Sequence, residues 1–262
     1  MSLLDGLIAH WKLDEASGDR LDSSGNGHTL SVNTGPASAV AGKLGLALTN
    51  GKVLYDGAAL SNFDVPDGFT IAGWLKMSGS GSGSAGIIFD VQSLPTYDDI
   101  CFLQAYENEG QAFFVCGIAG TDLSYPEPVG PATLDEWHLA LGWWVKGEGV
   151  YVQVDNGTPI LAEYAGDILS SPANTFVYSV DINSAIDSPS FWRRVLTAAE
   201  RSALWNRGAG LDYPFTPTVA NSGGTDNYYY WRYDQQAALE EERQLMAQME
   251  AARRAVWQKP RK

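Results

Sequence analysis

Apolar and polar residues alternate along residues 6–196, and this period of two constrains the fold more than any other feature. Because neighbouring side chains of a β-strand point to opposite faces, a period of two predicts half-buried strands. The pattern covers residues 7–13, 44–49, 69–77, 86–92, 137–145, 149–154 and 175–180. About a dozen short strands with few helical segments predict an all-β fold of two stacked antiparallel sheets.

Two glycine-containing segments bear on how the strands are connected. Asn156 and Gly157 stand inside a double strand pattern at residues 150–161, which predicts a hairpin with a type I′ turn. Residues 78–86 (SGSGSGSAG) are either a linker between two domains or a loop within one. Strand patterns continue on both sides, so we favour a loop within a single sandwich.

Two segments far apart in the sequence belong together. Residues 6–15 read GLIAHWKLDE and lead to DSSGNGH at residues 22–28. Residues 186–197 read IDSPSFWRRVLT and are followed by AAERSALW at residues 198–205. Together they resemble the opening and closing segments of the laminin-G-like, concanavalin A-like lectin-glucanase jelly-roll family. The resemblance covers residues 6–212 and implies a two-sheet antiparallel jelly roll that binds or scaffolds rather than catalyses.

A short helix is predicted after the closing segment. Thr197 and Glu200 match a capping box, and Gly208 suits a left-handed helix stop. Beyond it the composition changes to prolines and glycines that are typical of an exposed linker. We therefore expect a sandwich at residues 1–212 and a linker at residues 213–227.

Residues 228–262, here called the tail, predict an anchoring segment. An aromatic run opens the tail, and a predicted amphipathic α-helix of roughly residues 234–258 follows, whose apolar stripe is too narrow to be stable alone. The residues expected to anchor a partner are Tyr228, Tyr229, Tyr230, Trp231, Tyr233, Leu245 and Met249. They dock either on the chain's own sandwich or on a neighbouring subunit or capsid surface.

The charge is unevenly placed. Residues 1–216 hold 25 acidic and 10 basic residues, whereas residues 217–262 hold 6 acidic and 7 basic ones, which gives a net charge of −14. An acidic globular part opposes binding to nucleic acid or to an anionic membrane, and no apolar run is long enough for membrane insertion. The surplus carboxylates either attract a hard cation or keep the protein soluble.

The first residues pass directly into a strand pattern without the basic and apolar regions of a secretory leader. Members of the resembled family are commonly exported. The chain is therefore expected to be either a mature exported protein or one assembled inside a cell, as phage virion proteins are.

Cys101 and Cys116 lie in two predicted strands joined by residues 107–110. If Tyr106 pairs with Gln111, the two cysteines stand opposite each other and within reach of a disulfide. The alternative, which we favour, is a pair of buried thiols in a reducing compartment.

Asp22, Asn26 and Asp187 form the best candidate metal site. Calcium takes six to eight oxygen ligands, and the loop that contains Asp22 and Asn26 supplies carboxylate, amide and carbonyl oxygens. The resemblance implies that the closing strand brings Asp187 near this loop, although Ser188 and Pro189 depart from the family pattern. We expect a structural calcium ion here; the alternative is an Asx turn beside an ordinary strand end.

No catalytic constellation is found. Retaining glucanases on a related jelly roll place alternating acids on one strand, whereas Glu107 and Glu109 lie at a predicted hairpin tip. His10, His28 and His138 have no neighbouring nucleophile or metal-ligand motif. We therefore predict a protein that is not an enzyme.

Aromatic residues offer a second kind of site. Trp74, Trp144 and Tyr151 are candidates for stacking on a glycan, with packing in the core as the alternative. Trp143 and Trp144 are neighbours in a strand and point to opposite faces, so at least one of them belongs to the core.

Two functions are compatible with these features. The leading hypothesis is a non-catalytic virion protein, such as a phage capsid decoration or fibre-associated protein, that binds other virion or self subunits through the tail. The alternative is a calcium-assisted carbohydrate-binding adhesion module that recognises a cell-surface glycan, located outside the cell or at its surface. A glycan hydrolase is rejected.

Overall fold

The computed structural model describes residues 2–32, 38–49, 53–56, 65, 67–78, 85–93, 99–108, 110–121, 126–169, 173–179 and 184–216. The strands are β1 (Leu7–His10), β2 (Leu30–Val32), β3 (Ser38–Ala41), β4 (Leu46–Thr49), β5 (Val53–Asp56), β6 (Gly68–Lys76), β7 (Ala85–Ser93), β8 (Asp99–Asn108), β9 (Gln111–Ile118), β10 (Val129–Ala132), β11 (Trp137–Val145), β12 (Gly149–Val154), β13 (Ile160–Glu163), β14 (Ala173–Ser179) and β15 (Ala185–Trp192). Helix α1 (Ala198–Trp205) and a 3-10 turn (Asn206–Gly208) follow.

The strands form two antiparallel sheets. The first sheet has the order β13-β12-β11-β6-β15-β4-β3, with β1 also paired to β15, and the second has the order β10-β9-β8-β7-β14-β5-β2. The predicted all-β sandwich is therefore confirmed, and the strands predicted at residues 137–145 and 149–154 coincide with β11 and β12. None of the helices in the described part of the chain is long and apolar enough to span a membrane.

The Gly/Ser-rich stretch at residues 78–86 connects β6 in the first sheet to β7 in the second. Both sheets belong to one sandwich, so the interpretation of a loop within a domain is confirmed. Residues 79–84 of this stretch lie outside the described residues.

The opening and closing segments meet as the resemblance implied. The C-terminal half of β15 pairs with β1, and its N-terminal half pairs with β4. Between them the register against β6 shifts, because Ser188 adopts a positive φ of 52° and Pro189 has no N–H to donate to the ladder. Instead, the Pro189 carbonyl accepts a hydrogen bond of 3.1 Å from the backbone N–H of Trp11.

A core of aromatic and aliphatic side chains fills the space between the sheets. Phe89 of the second sheet stacks on Phe191 of the first, with ring centroids 5.2 Å apart and planes 5° from parallel. The sheets approach closely beside Gly142, where a Cβ atom would lie 2.4 Å from the Cys116 sulfur. Only glycine allows this approach, since any side chain would push the sheets apart.

A second core lies on the outer face of the first sheet, under α1 and the segment after it. Trp74 of β6 stacks on Trp205 of α1 with centroids 5.4 Å apart. The capping box of Thr197 and Glu200 is present as predicted and fixes the start of the helix. These contacts remove most of this outer face from solvent.

The packed region extends beyond the predicted boundary at residue 212. Phe215 is 8% exposed and packs against Trp192, and Tyr213 stacks on His10 with centroids 5.2 Å apart. The first residues of the expected linker are thus part of the sandwich, because their aromatic rings bury apolar area on it. The remainder of the linker and the tail with its predicted helix lie outside the described residues, so their roles stay predictions.

The two cysteines are free and buried. Cys101 lies opposite Ile118, and Cys116 lies opposite Leu103, so the disulfide alternative is wrong. Asn108 pairs with Gln111 across a shorter turn than expected, and this shifts the register by two residues. Burial raises the pKa of the Cys116 thiol, which keeps it protonated and unreactive.

The hairpin predicted at residues 150–161 is formed by β12 and β13, but its turn differs from the prediction. Asp155 has the positive φ, 57°, rather than Asn156 or Gly157. The Asp155 side chain accepts hydrogen bonds from the backbone N–H of Leu139 and contacts His138 Nδ1 at 2.8 Å. The Asp155 carboxylate thereby joins the turn to β11 and contacts the His138 ring.

Replacing Phe89, which is fully buried, with alanine should lower the free energy of unfolding by about 3–5 kcal/mol, because the change leaves a cavity beside Phe191. Urea denaturation measures the loss. Leu21→Ala is the control, since Leu21 is 61% exposed and its loss should cost less than about 0.5 kcal/mol. An equal cost for the two variants would contradict the central place of Phe89.

Candidate functional site

The outer face of the second sheet carries side chains that the core does not use. Leu103 and Ala105 of β8 point into the core, so Gln104 and Tyr106 point away from it. On β9, Phe114 is a core residue, and its neighbour Phe113 therefore also points outward. Gln104, Tyr106 and Phe113 are half-buried.

Two aromatic rings on this face form a cross-strand pair. Tyr106 stands directly opposite Phe113, and their rings stack with centroids 5.4 Å apart and planes 26° from parallel. Pro131 of β10 lies opposite Phe113 on the other side and is exposed. The three side chains make one apolar row across three strands, partly open to solvent.

Amide side chains border this row. Gln111 is exposed at the start of β9. Gln104 lies two residues before Tyr106 on β8 and therefore on the same face. Each amide offers two N–H donors and one carbonyl acceptor. We call Gln104, Tyr106, Gln111, Phe113 and Pro131 the aromatic face. From the usual spacings of a β-sheet it covers roughly 10 by 13 Å, enough for a short oligosaccharide.

Next to the aromatic face, the outward-pointing side chains of the second sheet are buried. Phe102 is 6% exposed and lies across Gly117, where a Cβ atom would be 2.3 Å from the ring. Val115 and Asp90 also point away from the inter-sheet core and are buried. Among the side chains of β8, β9 and β10 that the structure describes, the accessible ones lie at the end of these strands that carries the aromatic face.

Two of the three aromatic residues expected to stack on a glycan do not reach solvent. Trp144 is 1% exposed in the inter-sheet core, and Trp74 is 2% exposed between Trp205 and the Lys43 ammonium. Neither ring presents a face to a sugar, because Trp144 is packed in the core and α1 covers Trp74. This corrects the expectation for both residues.

Tyr151 remains partly accessible. Its ring stacks on Trp143 at 5.0 Å, and its hydroxyl donates to Glu148. The guanidinium of Arg201 covers the Trp143 ring at 4.2 Å. Burial raises the pKa of the Tyr151 hydroxyl, and Glu148 adds to this effect. Tyr151 is thus one exposed edge of a packed stack rather than an open platform.

The aromatic face was missed in the sequence, although a signal was present. Residues 102–106 read FLQAY and residues 111–115 read QAFFV, so aromatic and amide residues share one face of each strand. Half-buried strands ordinarily carry charged or small polar residues on the solvent face. Tyr106 and Phe113 on that face are the departure that marks the site.

The residues of the expected calcium site have separate hydrogen-bond partners. Asp22 accepts from the backbone N–H groups of His10, Ser24 and His28, and these bonds hold its pKa below the usual value although burial alone would raise it. The Asn26 amide nitrogen donates to the carbonyl of Ile8 at 2.9 Å. The side chains of Asp22 and Asn26 therefore hold the loop against β1.

Asp187 accepts a hydrogen bond of 2.7 Å from the backbone N–H of Leu44 and another from the Ser188 hydroxyl. Burial raises the pKa of its carboxyl to about 7. Asp187 shares no hydrogen-bond partner with Asp22, and the described residues contain no metal-binding group of three or more His, Cys, Asp or Glu side chains. A calcium ion bound by both Asp22 and Asp187 therefore stays a prediction. Comparing the melting temperature in calcium with that in excess chelator tests it.

A small cavity lies beside His10, beneath α1 and the segment that follows it. Its volume, about 10 Å³, is close to the minimum that holds one water molecule. His10 Nδ1 contacts the Ser190 hydroxyl at 2.7 Å, and that hydroxyl donates to the Ser188 carbonyl. The cavity beside this pair is too small for a substrate, and the contacts tie β1 to β15.

Comparisons with known proteins give a likeness of fold alone. The sequence matches no protein-family model, and no curated protein is similar to it in sequence. The binding domain of Paraclostridial Mosquitocidal Protein 1 superposes with a TM-score of 0.58 at 15% identity over 79% of this chain and 53% of that structure.

The receptor-binding domain of the botulinum neurotoxin C/D mosaic serotype gives 0.56 at 9% identity, over 78% of this chain and 52% of that one. The botulinum neurotoxin serotype D ligand-binding domain in complex with N-acetylneuraminic acid gives 0.55 at 11% identity, over 78% and 51%. The chain spans about half the length of these structures.

His10 should make stability depend on pH. Burial lowers its pKa from 6.5 to about 4, against the opposing carboxylates of Asp212 and Asp22. The unfolded chain therefore binds the proton more readily, and stability that is complete above pH 6.5 is lost as the pH falls toward 4, by up to roughly 3 kcal/mol. Urea denaturation at several pH values between 7.5 and 4.5 measures this loss of stability.

The control compares His10→Gln with Leu21→Ala. The difference in stability between wild type and His10→Gln should shrink as the pH falls, whereas Leu21→Ala, which removes an exposed side chain without a titratable group, should follow the wild-type curve. Parallel curves for wild type and His10→Gln would show that His10 is not held neutral by burial.

Proposed function

We propose that this protein is a non-catalytic carbohydrate-binding module of the laminin-G-like, concanavalin A-like type, and that its aromatic face binds a glycan. The observation that carries the proposal is the stacked, half-buried pair of Tyr106 and Phe113 on an outward sheet face. A soluble domain normally covers such rings or uses them in an interface.

The chemistry of the face suits a sugar ring. A pyranose has an apolar side of C–H groups, which an aromatic ring can remove from water. Its hydroxyls both donate and accept hydrogen bonds, and the amides of Gln104 and Gln111 can do the same. The apolar row and its amide border thus match the two kinds of surface on a sugar.

The expected affinity of one face is low. Burying roughly 100 Å² of apolar area contributes about 2.5 kcal/mol, and losses of motion on binding oppose it. Useful attachment to a cell surface therefore needs several copies, whose effective concentration raises the overall affinity by orders of magnitude. Display on a virion through the tail would supply such copies, and this role remains a prediction because the tail lies outside the described residues.

The comparisons support this class of function without naming a ligand. Solved structures with the same fold are described as binding domains of toxins, and one of them holds a sialic acid. The aromatic face itself offers tyrosine, phenylalanine, proline and glutamine side chains, none of which supplies a carboxylate pair for glycoside hydrolysis. An extracellular or cell-surface glycan fits both observations as the partner.

Tyr106→Ala and Phe113→Ala should each weaken glycan binding at least about tenfold, since each removes half of the stacked pair. A glycan array identifies a bound sugar, and calorimetry then gives the dissociation constants. Tyr151→Ala is the matched control, because it removes a partly exposed tyrosine from the other sheet and should leave binding unchanged. Wild-type affinity in the folded double variant of Tyr106 and Phe113 would reject the aromatic face as the site.

A further inference from the structure

We infer that the glycan held by the aromatic face is uncharged, and that anionic sugars such as sialylated, sulfated or uronic forms are discriminated against. This inference rests on the proposed function and deepens it by naming the ligand class. It follows from where the protein places its cations.

The second sheet contains no basic residue in any of its strands, whereas four acids, Asp56, Asp90, Asp99 and Glu107, lie in them. The surrounding sequence has the same character. Residues 77–137 hold nine acidic residues and not one Lys, Arg or His. A cation is thus missing from the strands of the face and from the chain segments that connect β7, β8, β9 and β10.

The ion-paired Lys and Arg side chains of the described chain lie elsewhere. His138, whose ring centroid is 6.3 Å from that of Phe114 on β9, has its Nδ1 2.8 Å from the Asp155 carboxylate. Ion pairs join Lys12 to Asp212, Lys146 to Asp167 and Arg194 to Glu200, all of them in the first sheet, its loops or α1. Arg20 is a described basic residue beside the second sheet; it bridges to Leu30 of β2, at the far edge from β10, and is fully buried.

Arg20 is too far away to help an anion on the aromatic face. The edge strand β2 lies five strand spacings from β9, about 24 Å at the usual spacing of strands. Charges separated by more than about 8–10 Å are largely screened at physiological salt. Neither Arg20 nor the three ion-paired side chains therefore act on a ligand that lies over Tyr106 and Phe113.

Backbone donors cannot replace the missing cation. Strands β8 and β9 are each paired on both sides, so their N–H groups are used in the sheet. A carboxylate or sulfate that leaves water needs charged partners or several N–H donors, and otherwise its burial is costly. The glutamines satisfy hydroxyls well but supply no positive charge. The net charge of −14 adds a repulsion at longer range.

This ligand class differs from that of a structure with the same fold, which holds N-acetylneuraminic acid. At 11% identity the shared fold does not carry shared side chains. The charge pattern of this chain therefore decides its ligand class independently of that likeness.

The test is a panel of uncharged oligosaccharides ending in galactose, glucose, mannose or N-acetylglucosamine, each paired with a sialylated, sulfated or uronic acid counterpart. The full chain should bind at least one uncharged member, and its anionic counterpart should bind at least about tenfold more weakly in low salt. The gap should narrow at high salt, because screening weakens repulsion.

The outcomes separate the inference from the proposed function. Equal or tighter binding of anionic members would overturn the inference and leave a glycan-binding module. Binding of no member by the folded protein would overturn the proposed function, and the inference with it.

A charge variant tests the cause. Val129 of β10 lies opposite Val115, 39% exposed at the border of the aromatic face. Val129→Lys places a cation there, and it should reduce the preference for the uncharged form at least about threefold. Val129→Gln is the control of similar length without charge and should keep the preference. An unchanged preference in Val129→Lys would show that the discrimination is not electrostatic.

Discussion

The pairing of β15 with three strands is the constraint on which the rest of the structure depends. β15 lies beside β6 along its length and holds β1 and β4 on its other edge. All eight of its residues are buried, and the Trp192 indole donates a hydrogen bond of 2.7 Å to the Leu3 carbonyl. The start of the chain is thereby fixed beside its closing strand, and the helix that follows must return over the first sheet.

That return divides the two outer faces into different roles. Helix α1 and the segment ending at Phe215 bury Trp74 and Trp192 against the first sheet, which leaves little of that surface to a ligand. In the described part of the second sheet, Tyr106 and Phe113 stack beside amides and stay partly accessible. The strands of the second sheet contain no Lys or Arg, and on the proposed function this restricts the ligand to an uncharged glycan.

Much of the fold could be predicted, because it depends on local patterns. The alternation in β11 and β12 and the capping box at Thr197 involve neighbours in sequence, and the structure agrees with both. The register of Cys101 and Cys116 was wrong, since a change of turn length moves every pair in a hairpin. The expectation that Trp74 and Trp144 stack on a glycan was wrong for a related reason. Alternation states which residues share a face, but not what covers that face.

The sequence by itself determined the sandwich, the meeting of its opening and closing strands and the absence of cations from a long central segment. The sandwich and the missing cations follow from periodicity, turn residues and composition, and the meeting of the two strands was implied by the family resemblance of residues 6–15 and 186–197. Only the tertiary structure decided that α1 and residues 211–215 cover the first sheet and that Tyr106 and Phe113 stay accessible on the second. The physical reason is that exposure arises from contacts between segments distant in the chain, and no local pattern records them.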